Sequence, residues 1–329
     1  MTEPEQLRDE LSAVVEDHLG AGVRIEGLAP LVGGASRELW AFELVAGDER
    51  RAAVLRRDPV GVGDPAGRRR EWDVLRAAYD HGVPVPEPLW FVESGEGSAF
   101  VMERLDGETI PRRLLREEHY ADARERLTGQ LAQAAAAVHA IPVSELPGVE
   151  VEQRPPAEVG LESLQAELDR IGEPHPALEL GLRWLWRNLP DAVEPALVHG
   201  DFRSGNLMID EHGLVGVLDW ELWHLGDPAE DLGWLCIRSW RHGADDHPAG
   251  GFGSRDELLA AYAAAGGRAV TRDQLRFWEV YGIVRWGVIC LVQADVHLCG
   301  RQRSLERAAI GRRTCEPEWD LLAMIGERD

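Results

Sequence analysis

Residues 197–210 read Leu-Val-His-Gly-Asp-Phe-Arg-Ser-Gly-Asn-Leu-Met-Ile-Asp, and residues 216–221 read Gly-Val-Leu-Asp-Trp-Glu. Asp201 and Asn206 stand five apart on a loop bounded by apolar, strand-like runs. Asp219 follows a second apolar run over 214–218. Such a set of oxygen-bearing side chains suits phosphoryl transfer. That reaction asks a protein for a carboxylate to orient the attacking hydroxyl. It also asks for oxygen ligands to Mg2+, which neutralises charge on the phosphates. Asp201 fits the first task, and Asn206 and Asp219 fit the second. Other chemistries fail on context. Arg203-Ser204-Gly205 is not the G-x-S-x-G elbow of a serine hydrolase. No G-x-G-x-x-G joins a strand to a helix, as a dinucleotide enzyme requires. All 35 basic residues are arginine, so no Schiff-base or Walker A lysine is available.

The pattern H-G-D-x-x-x-x-N, a short hairpin and then D-W-E is carried here by His199, Gly200, Asp201, Asn206, Asp219 and Glu221. It resembles the aminoglycoside phosphotransferase family, the small-molecule branch of the protein-kinase-like fold. The likeness runs from about residue 31 into the C-terminal helices. One branch associated with acyl-CoA dehydrogenases is similar in the strand Val54-Leu55-Arg56-Arg57 and in the run from Leu218 to Pro228. The resemblance implies an α+β, two-lobed kinase-like fold. Residues 1–104 would form a small β-rich nucleotide-binding lobe, and 105–329 a larger, mostly helical lobe for catalysis and acceptor binding. It implies ATP and Mg2+ as cofactors. Asp231 would brace the catalytic loop, and His199 would pack within it. Asp227 and Asp231 read as structural groups at a helix start, and Glu221 as a weaker neighbour of the metal.

The nucleotide grip should come from the smaller lobe. The two-residue period of a strand puts Val54 and Arg56 on one face, Val54 toward adenine and Arg56 toward phosphates. Arginine there departs from the lysine usual in kinases; it keeps the charge but not the shape. Glu71 is the expected carboxylate partner. Gly33, Gly34 and Ser36 resemble the loop that covers the nucleotide. Met102, Glu103 and Leu105 resemble the link between lobes, with backbone groups of Glu103 and Leu105 on the adenine edge and Met102 behind it. Arg68, Arg69 and Arg70 read as a solvated helix start.

Elements must hold these groups in place. Residues 3–19 have amphipathic helical spacing. Trp40, Phe42 and Leu44 alternate as in a half-buried strand, and 52–57 form its partner. Residues 59–67 are rich in Gly and Pro and read as loop; 70–79 follow as helix. Residues 84–88 are extended by their prolines, and 89–92 pair with 99–103 as a hairpin. After Gly107 the pattern is helical: 121–139, 161–171, 178–189, 258–265 and 274–298.

Composition bounds the partners. With 35 arginines against 58 carboxylates the chain of 329 residues carries −23, which excludes a general nucleic-acid binder. The longest apolar run, near 281–292, is interrupted by Arg285 and is too short to span a membrane. The N-terminus is polar and acidic, with no secretory character. Four cysteines without CxxC spacing read as reduced thiols of a cytoplasmic protein. The expected partners are a nucleotide and a small-molecule acceptor; the oligomeric state stays open.

Charge also bears on the acceptor. Residues 1–104 carry −8 and 105–235 carry −15, but 236–329 are neutral, with 13 arginines against 13 carboxylates. Arginine gathers at Arg301, Arg303, Arg307, Arg312 and Arg313. Trp278, Trp286 and His297 lie near in sequence and could form a stacking wall. Arg301, Arg303, His297 and Trp286 are therefore the acceptor-side candidates, for an anionic or partly apolar hydroxylated acceptor such as a hydroxy acid or a hydroxyacyl-CoA. The alternatives are an antibiotic kinase and a nucleotide-binding pseudokinase.

Overall fold

The computed structural model describes residues 3–20, 22–31, 38–58, 64–94, 97–149 and 151–326. Gly33, Gly34 and Ser36 lie outside them. Five antiparallel strands form one sheet in the order β1-β2-β3-β5-β4: β1 (Val23–Pro30), β2 (Glu38–Ala46), β3 (Glu49–Arg57), β4 (Pro88–Ser94) and β5 (Gly97–Glu103). Helix α1 (Glu3–Leu19) places Leu7, Leu11 and Val15 four apart. These bury against Phe42, Ala53, Leu55 and Val101. Strand alternation then turns Val54 and Arg56 to the opposite face. Leu55 pairs with Val101 and Arg56 with Phe100 in register.

Helix α2 (Pro65–Asp80) begins earlier than the sequence pattern predicts. Pro65 occupies the first turn, where its missing N–H costs nothing, and the Asp64 side chain accepts from Gly67 N–H at 3.0 Å. The early start places Arg68 in the buried face of the helix. Arg68 is 2% exposed, so the expectation of a solvated arginine run fails at its first member.

The remainder is mainly helical: α3 (Pro111–Arg116), α4 (Ala121–His139), α5 (Pro156–Ile171) and α6 (Pro176–Arg187) precede the motif block. Helix α6 stops two residues short of the expected end. In the block, β6 (Ala196–Val198) pairs with β9 (His224–Gly226), and β7 (Leu207–Asp210) forms a hairpin with β8 (Gly213–Val217). Then come α7 (Ala229–Cys236), α8 (Arg255–Ala264), α9 (Arg272–Leu298), α10 (Leu305–Gly311) and α11 (Cys315–Gly326). Helix α9 opens with a capping box, Thr271 and Gln274 bonding each other's backbone N–H. It is the axis of a C-terminal core: Trp278, Val284, Trp286 and Cys290 are buried among α5, α6, α7 and α11. No helix among the described residues is long and apolar enough to cross a membrane.

Helices α7 and α9 touch backbone to backbone. A Cβ on Gly233 would stand 2.5 Å from the Trp278 carbonyl carbon and 2.8 Å from Glu279 N. Gly233→Ala should therefore destabilise the fold by about 1–3 kcal/mol, the range for overpacking a filled interior. Urea denaturation checks this; an unchanged midpoint would show that the two helices can part freely.

Candidate active site

The loop 199–206 leaves β6 through Gly200, whose φ is +77°. A Cβ there would fall 2.2 Å from Leu222 O. Only glycine allows both the left-handed turn and this approach. The turn exposes the N–H groups of His199 and Gly200, and one carboxylate takes both. Asp231, from the first turn of α7 and fully buried, accepts from His199 N at 2.7 Å and from Gly200 N at 2.9 Å. His139 Nε2 lies 3.1 Å from the same carboxylate, and the Tyr262 hydroxyl lies 2.8 Å from His139 Nδ1. Burial pushes the Asp231 carboxyl up, but the bonds from His139 and the loop outweigh it. It ends below the ordinary range.

His199 is also fully buried, which lowers its pKa and keeps it neutral despite the carboxylates around it. Its Nδ1 accepts from Asp201 N at 3.1 Å, so its proton sits on Nε2, which faces Leu218 O at 3.0 Å. One imidazole thus ties the loop to the residue before Asp219.

Asp201 is held by donors on both oxygens. Trp234 Nε1 reaches Oδ1 at 2.8 Å, Asn206 Nδ2 reaches Oδ2 at 2.6 Å, and Arg203 Nε sits 3.0 Å from each. With Nδ2 engaged, Oδ1 is the atom of Asn206 left to face a cation. Leu218 N–H donates to Asn206 O at 2.8 Å, which draws the end of β8 against the loop. Asp219 follows with φ 65° and ψ 71°, a left-handed conformation that costs an aspartate roughly 1–3 kcal/mol.

Across the cleft, Arg56 Nη2 lies 2.7 Å from Glu71 Oε1 and 2.7 Å from Asp219 Oδ1. Burial opposes the Arg56 charge, but Glu71 and Asp219 outweigh it and its pKa rises. Glu71 in turn pairs with Arg68, and Arg68 with Asp58. Sequence reasoning missed Arg68. The signal was its position, three residues before Glu71 on one helix face. Nε of Arg56 is buried and has no hydrogen-bond partner among the described residues.

These groups border a cleft of about 740 Å³ between the sheet and the motif block. Val54, Arg56, Met102, Glu103 and Leu105 line one side; Arg203, Asn206 and Asp219 line the other. The Glu103 N–H is already spent on Glu87 O at 2.8 Å. Asp201 stands just behind Asn206 and Arg203. From α10, Glu306 and Arg307 also reach the cleft wall.

The acceptor-side candidates do not gather. Arg301 is exposed and bonds Asp295 at 2.7 Å and Cys299 Sγ at 3.1 Å; Arg303 is exposed. His297 Nδ1 accepts from Ser304 N at 3.1 Å. His297 sits in the last turn of α9 and Arg301 and Arg303 follow its end; none of the three lines the cleft. Trp286 is nearer. It stacks edge-on with Trp240 at 4.9 Å, and Trp240 lies under Arg203 at 4.9 Å. Asp227 accepts from Ala229 N at 2.9 Å and Trp278 Nε1 at 3.1 Å, and burial pushes its carboxyl up.

The model of the phosphotransferase enzyme family matches residues 27–278. The chain is 31% identical over 201 residues to acyl-CoA dehydrogenase family member 11 of Rattus norvegicus, covering 57% of this chain and 25% of that protein. It is 29% identical over 187 residues to an aminoglycoside 3′-phosphotransferase of Niallia circulans, covering 53% and 68%. The chain thus spans about a quarter of the length of the dehydrogenase relative. Among solved structures, a spectinomycin phosphotransferase in complex with ADP and spectinomycin superposes with a TM-score of 0.66 at 14% identity, covering 96% of this chain and 98% of that one. The macrolide 2′-phosphotransferase of Brachybacterium faecium gives 0.62 at 20% identity, covering 98% and 99%.

Asp231→Ala leaves two buried backbone N–H groups and His139 without their acceptor. Stability at pH 7 should fall by about 3–5 kcal/mol, as for other broken buried charge networks. Because the folded-state pKa is depressed, the contribution is present above the unfolded value near 3.9 and is lost only as pH falls through the folded one. Urea denaturation at about pH 5 and pH 7 should show the same difference. A loss confined to the higher pH would overturn the depressed carboxyl.

Proposed function

The chain belongs to the phosphotransferase enzyme family, and we propose that it is a Mg2+- and ATP-dependent kinase of a small-molecule hydroxyl. The observation that carries this reading is the convergence of two groups on one cleft: Arg56 held between Glu71 and Asp219, and Asp201 bonded to Asn206. Residues 1–104 act as the nucleotide-binding lobe and 105–329 as the catalytic and acceptor-binding lobe. The protein works in the cytoplasm.

The residues present fit both cofactors. Among the described residues no group of three His, Cys, Asp or Glu side chains could enclose a metal by itself. Mg2+ does not need one, since it takes one or two protein oxygens and completes its shell with phosphates and water. Asn206 Oδ1 and Asp219 supply those oxygens, and the metal supplies charge neutralisation on the transferred group. The buried Nε–H of Arg56 is a donor that a phosphate oxygen would satisfy. Val54 and Met102 give the adenine an apolar wall. The Glu103 carbonyl and the Leu105 backbone meet its edge.

Asp201 orients the acceptor hydroxyl and takes its proton as the oxygen attacks phosphorus. Trp234, Asn206 and Arg203 fix the carboxylate for that task. The acceptor is anionic or neutral, with a hydroxy acid or a hydroxyacyl-CoA as the sharpest form. Arg203 beside Asp201 supports this, since its fixed positive charge disfavours a polycation there. An ATP-consumption screen over hydroxylated metabolites, hydroxyacyl-CoAs and aminoglycosides tests it. Turnover of an anionic acceptor is the expected result. Turnover of aminoglycosides alone would make the chain an antibiotic kinase, and nucleotide binding without turnover would make it a pseudokinase.

Two variants probe the roles. Asp201→Asn should lower kcat by roughly 10²–10⁴, the span of a general base, with nucleotide affinity unchanged. A rate above about a tenth of wild type (~1.4 kcal/mol) removes Asp201 from that role. Asp219→Ala should abolish Mg2+-dependent ADP binding, and Asn206→Ala should weaken it less, because a neutral amide holds the cation less strongly. Calorimetry with and without Mg2+ separates them; wild-type binding in both would show that the metal sits elsewhere.

A further inference from the structure

A second cavity, of about 650 Å³, shares no lining residue with the cleft. Its walls come from three distant stretches of chain: Arg112 and Arg116 on α3, Arg238 and His242 beyond α7, and Arg313 with Trp319 near α11. Four arginines at one groove are notable in a chain that carries −23. The carboxylates on the same walls are already engaged. Arg238 pairs with Asp245 at 2.9 Å and Asp320 at 3.1 Å, and Arg313 with Glu316 at 2.8 Å. Arg112 and Arg116 are exposed and make no hydrogen bond or ion pair among the described residues.

The groove adjoins the catalytic loop. Arg203, whose Nε bonds Asp201, acts on His242 together with Arg112 and Arg313. Burial and these three cations all lower the pKa of His242. Its Nε2 is buried and has no hydrogen-bond partner among the described residues. Arg203 is paired with Asp201 and Arg313 with Glu316, so the uncompensated repulsion falls on Arg112, which no carboxylate on the groove walls offsets among the described residues. An anion placed there would relieve that repulsion. Guanidinium forks engage the oxygens of carboxylate and phosphate, often in pairs. Trp319, 69% exposed on the same wall, offers a flat apolar surface beside them.

We propose that this groove is a subsite for an oxyanion, carboxylate or phosphate, and that Arg112 and Arg116 are its principal ligands. The further statement that the oxyanion belongs to the acceptor rests on the kinase reading above. In that case the groove anchors one end of the acceptor while its hydroxyl lies at Asp201. The structure then selects for acceptors with a charged group set apart from the reacting hydroxyl.

The binding claim is tested without any acceptor. Inorganic phosphate and succinate are titrated separately by calorimetry into the wild-type chain and into the double variant R112Q/R116Q, in the presence of Mg2+ and saturating ADP. Both substitutions lie on exposed positions of a short helix, and circular dichroism confirms that the variant is folded. The expected result is saturable binding of at least one anion to wild type, weakened about tenfold or more in R112Q/R116Q. The arm that binds identifies the chemistry. Absence of binding in both arms, or equal affinity in the double variant, overturns the subsite. ADP affinity, measured in the same variants, reports on the kinase reading separately. Loss of ADP binding by wild type would end that reading while leaving the anion result to stand or fall by itself. Once an acceptor is in hand, R112Q/R116Q should raise its KM with little change in kcat, and a fall in kcat alone would place the anion elsewhere.

Discussion

Arg56 is a buried cation, and much of the site follows from keeping it charged. Removing a guanidinium from water is costly unless carboxylates and hydrogen bonds replace the solvent. Here the replacements come from opposite sides of the cleft: Glu71 from α2 and Asp219 from the end of the β7–β8 hairpin, each 2.7 Å from Nη2. Neither lobe satisfies Arg56 by itself. The pair of contacts therefore fixes how the sheet faces the motif block. It also explains the depth of α2, since Glu71 must itself be oriented. Arg68 and Asp58 do that from behind, and both are largely buried.

A second buried charge does for the catalytic loop what Arg56 does for the cleft. Asp231 accepts two adjacent backbone N–H groups and stands against His139. Its negative charge thus replaces the ladder bonds that the loop lost on leaving β6. His199 then carries the constraint forward, because its two nitrogens join Asp201 N to Leu218 O. A neutral imidazole is required for that bridge, as a protonated one could not accept from Asp201. Burial provides the neutrality. The order of support runs from Asp231 through the backbone of 199–201 to the residue preceding Asp219, and there it meets the Arg56 system. The left-handed backbone at Asp219 is sustained because both neighbours over-determine it.

The motif block was legible because its chemistry is local: Asp201, Asn206 and Asp219 lie within twenty residues, and short strands bring them together. Val54 and Arg56 were legible for a similar reason, since a strand's alternation assigns faces without knowledge of the rest. Arg68 was not. Beside Arg69 and Arg70 it looks like one of three solvated charges, and its burial depends on Pro65 and Asp64 starting the helix a turn earlier. The acceptor wall failed for a different cause. Arg301 and Arg303 share a charge-rich stretch with Arg313, but the chain turns after Leu298. That turn leaves the first two outside, where Arg301 meets Asp295, while Arg313 returns against Trp286 at 5.4 Å. Proximity in sequence said nothing about which arginines share a wall with Arg112, some two hundred residues upstream.

The absence of lysine gives these arrangements a common physical basis. A lysine buried between two lobes can shed its proton when desolvated, and its charge would then depend on the carboxylates that surround it. Arginine does not titrate in the accessible range, so Arg56 and Arg68 stay cationic whatever enters the cleft. Their carboxylate partners, Glu71, Asp58 and Asp219, therefore always face a fixed positive charge. That is useful under the proposed function, in which one of those partners, Asp219, also meets Mg2+. Arg56 Nη2 meets Asp219 through Oδ1 at 2.7 Å. A cation arriving on the loop side thus meets a carboxylate already pre-formed, with its strain and its charge supported by the opposite lobe. The same fixed charge explains why Arg203 can sit against Asp201 without accepting its proton. In the proposed reaction the proton of the attacking hydroxyl goes to the carboxylate, because the basic side chain bonded to it, Arg203, is already saturated with protons.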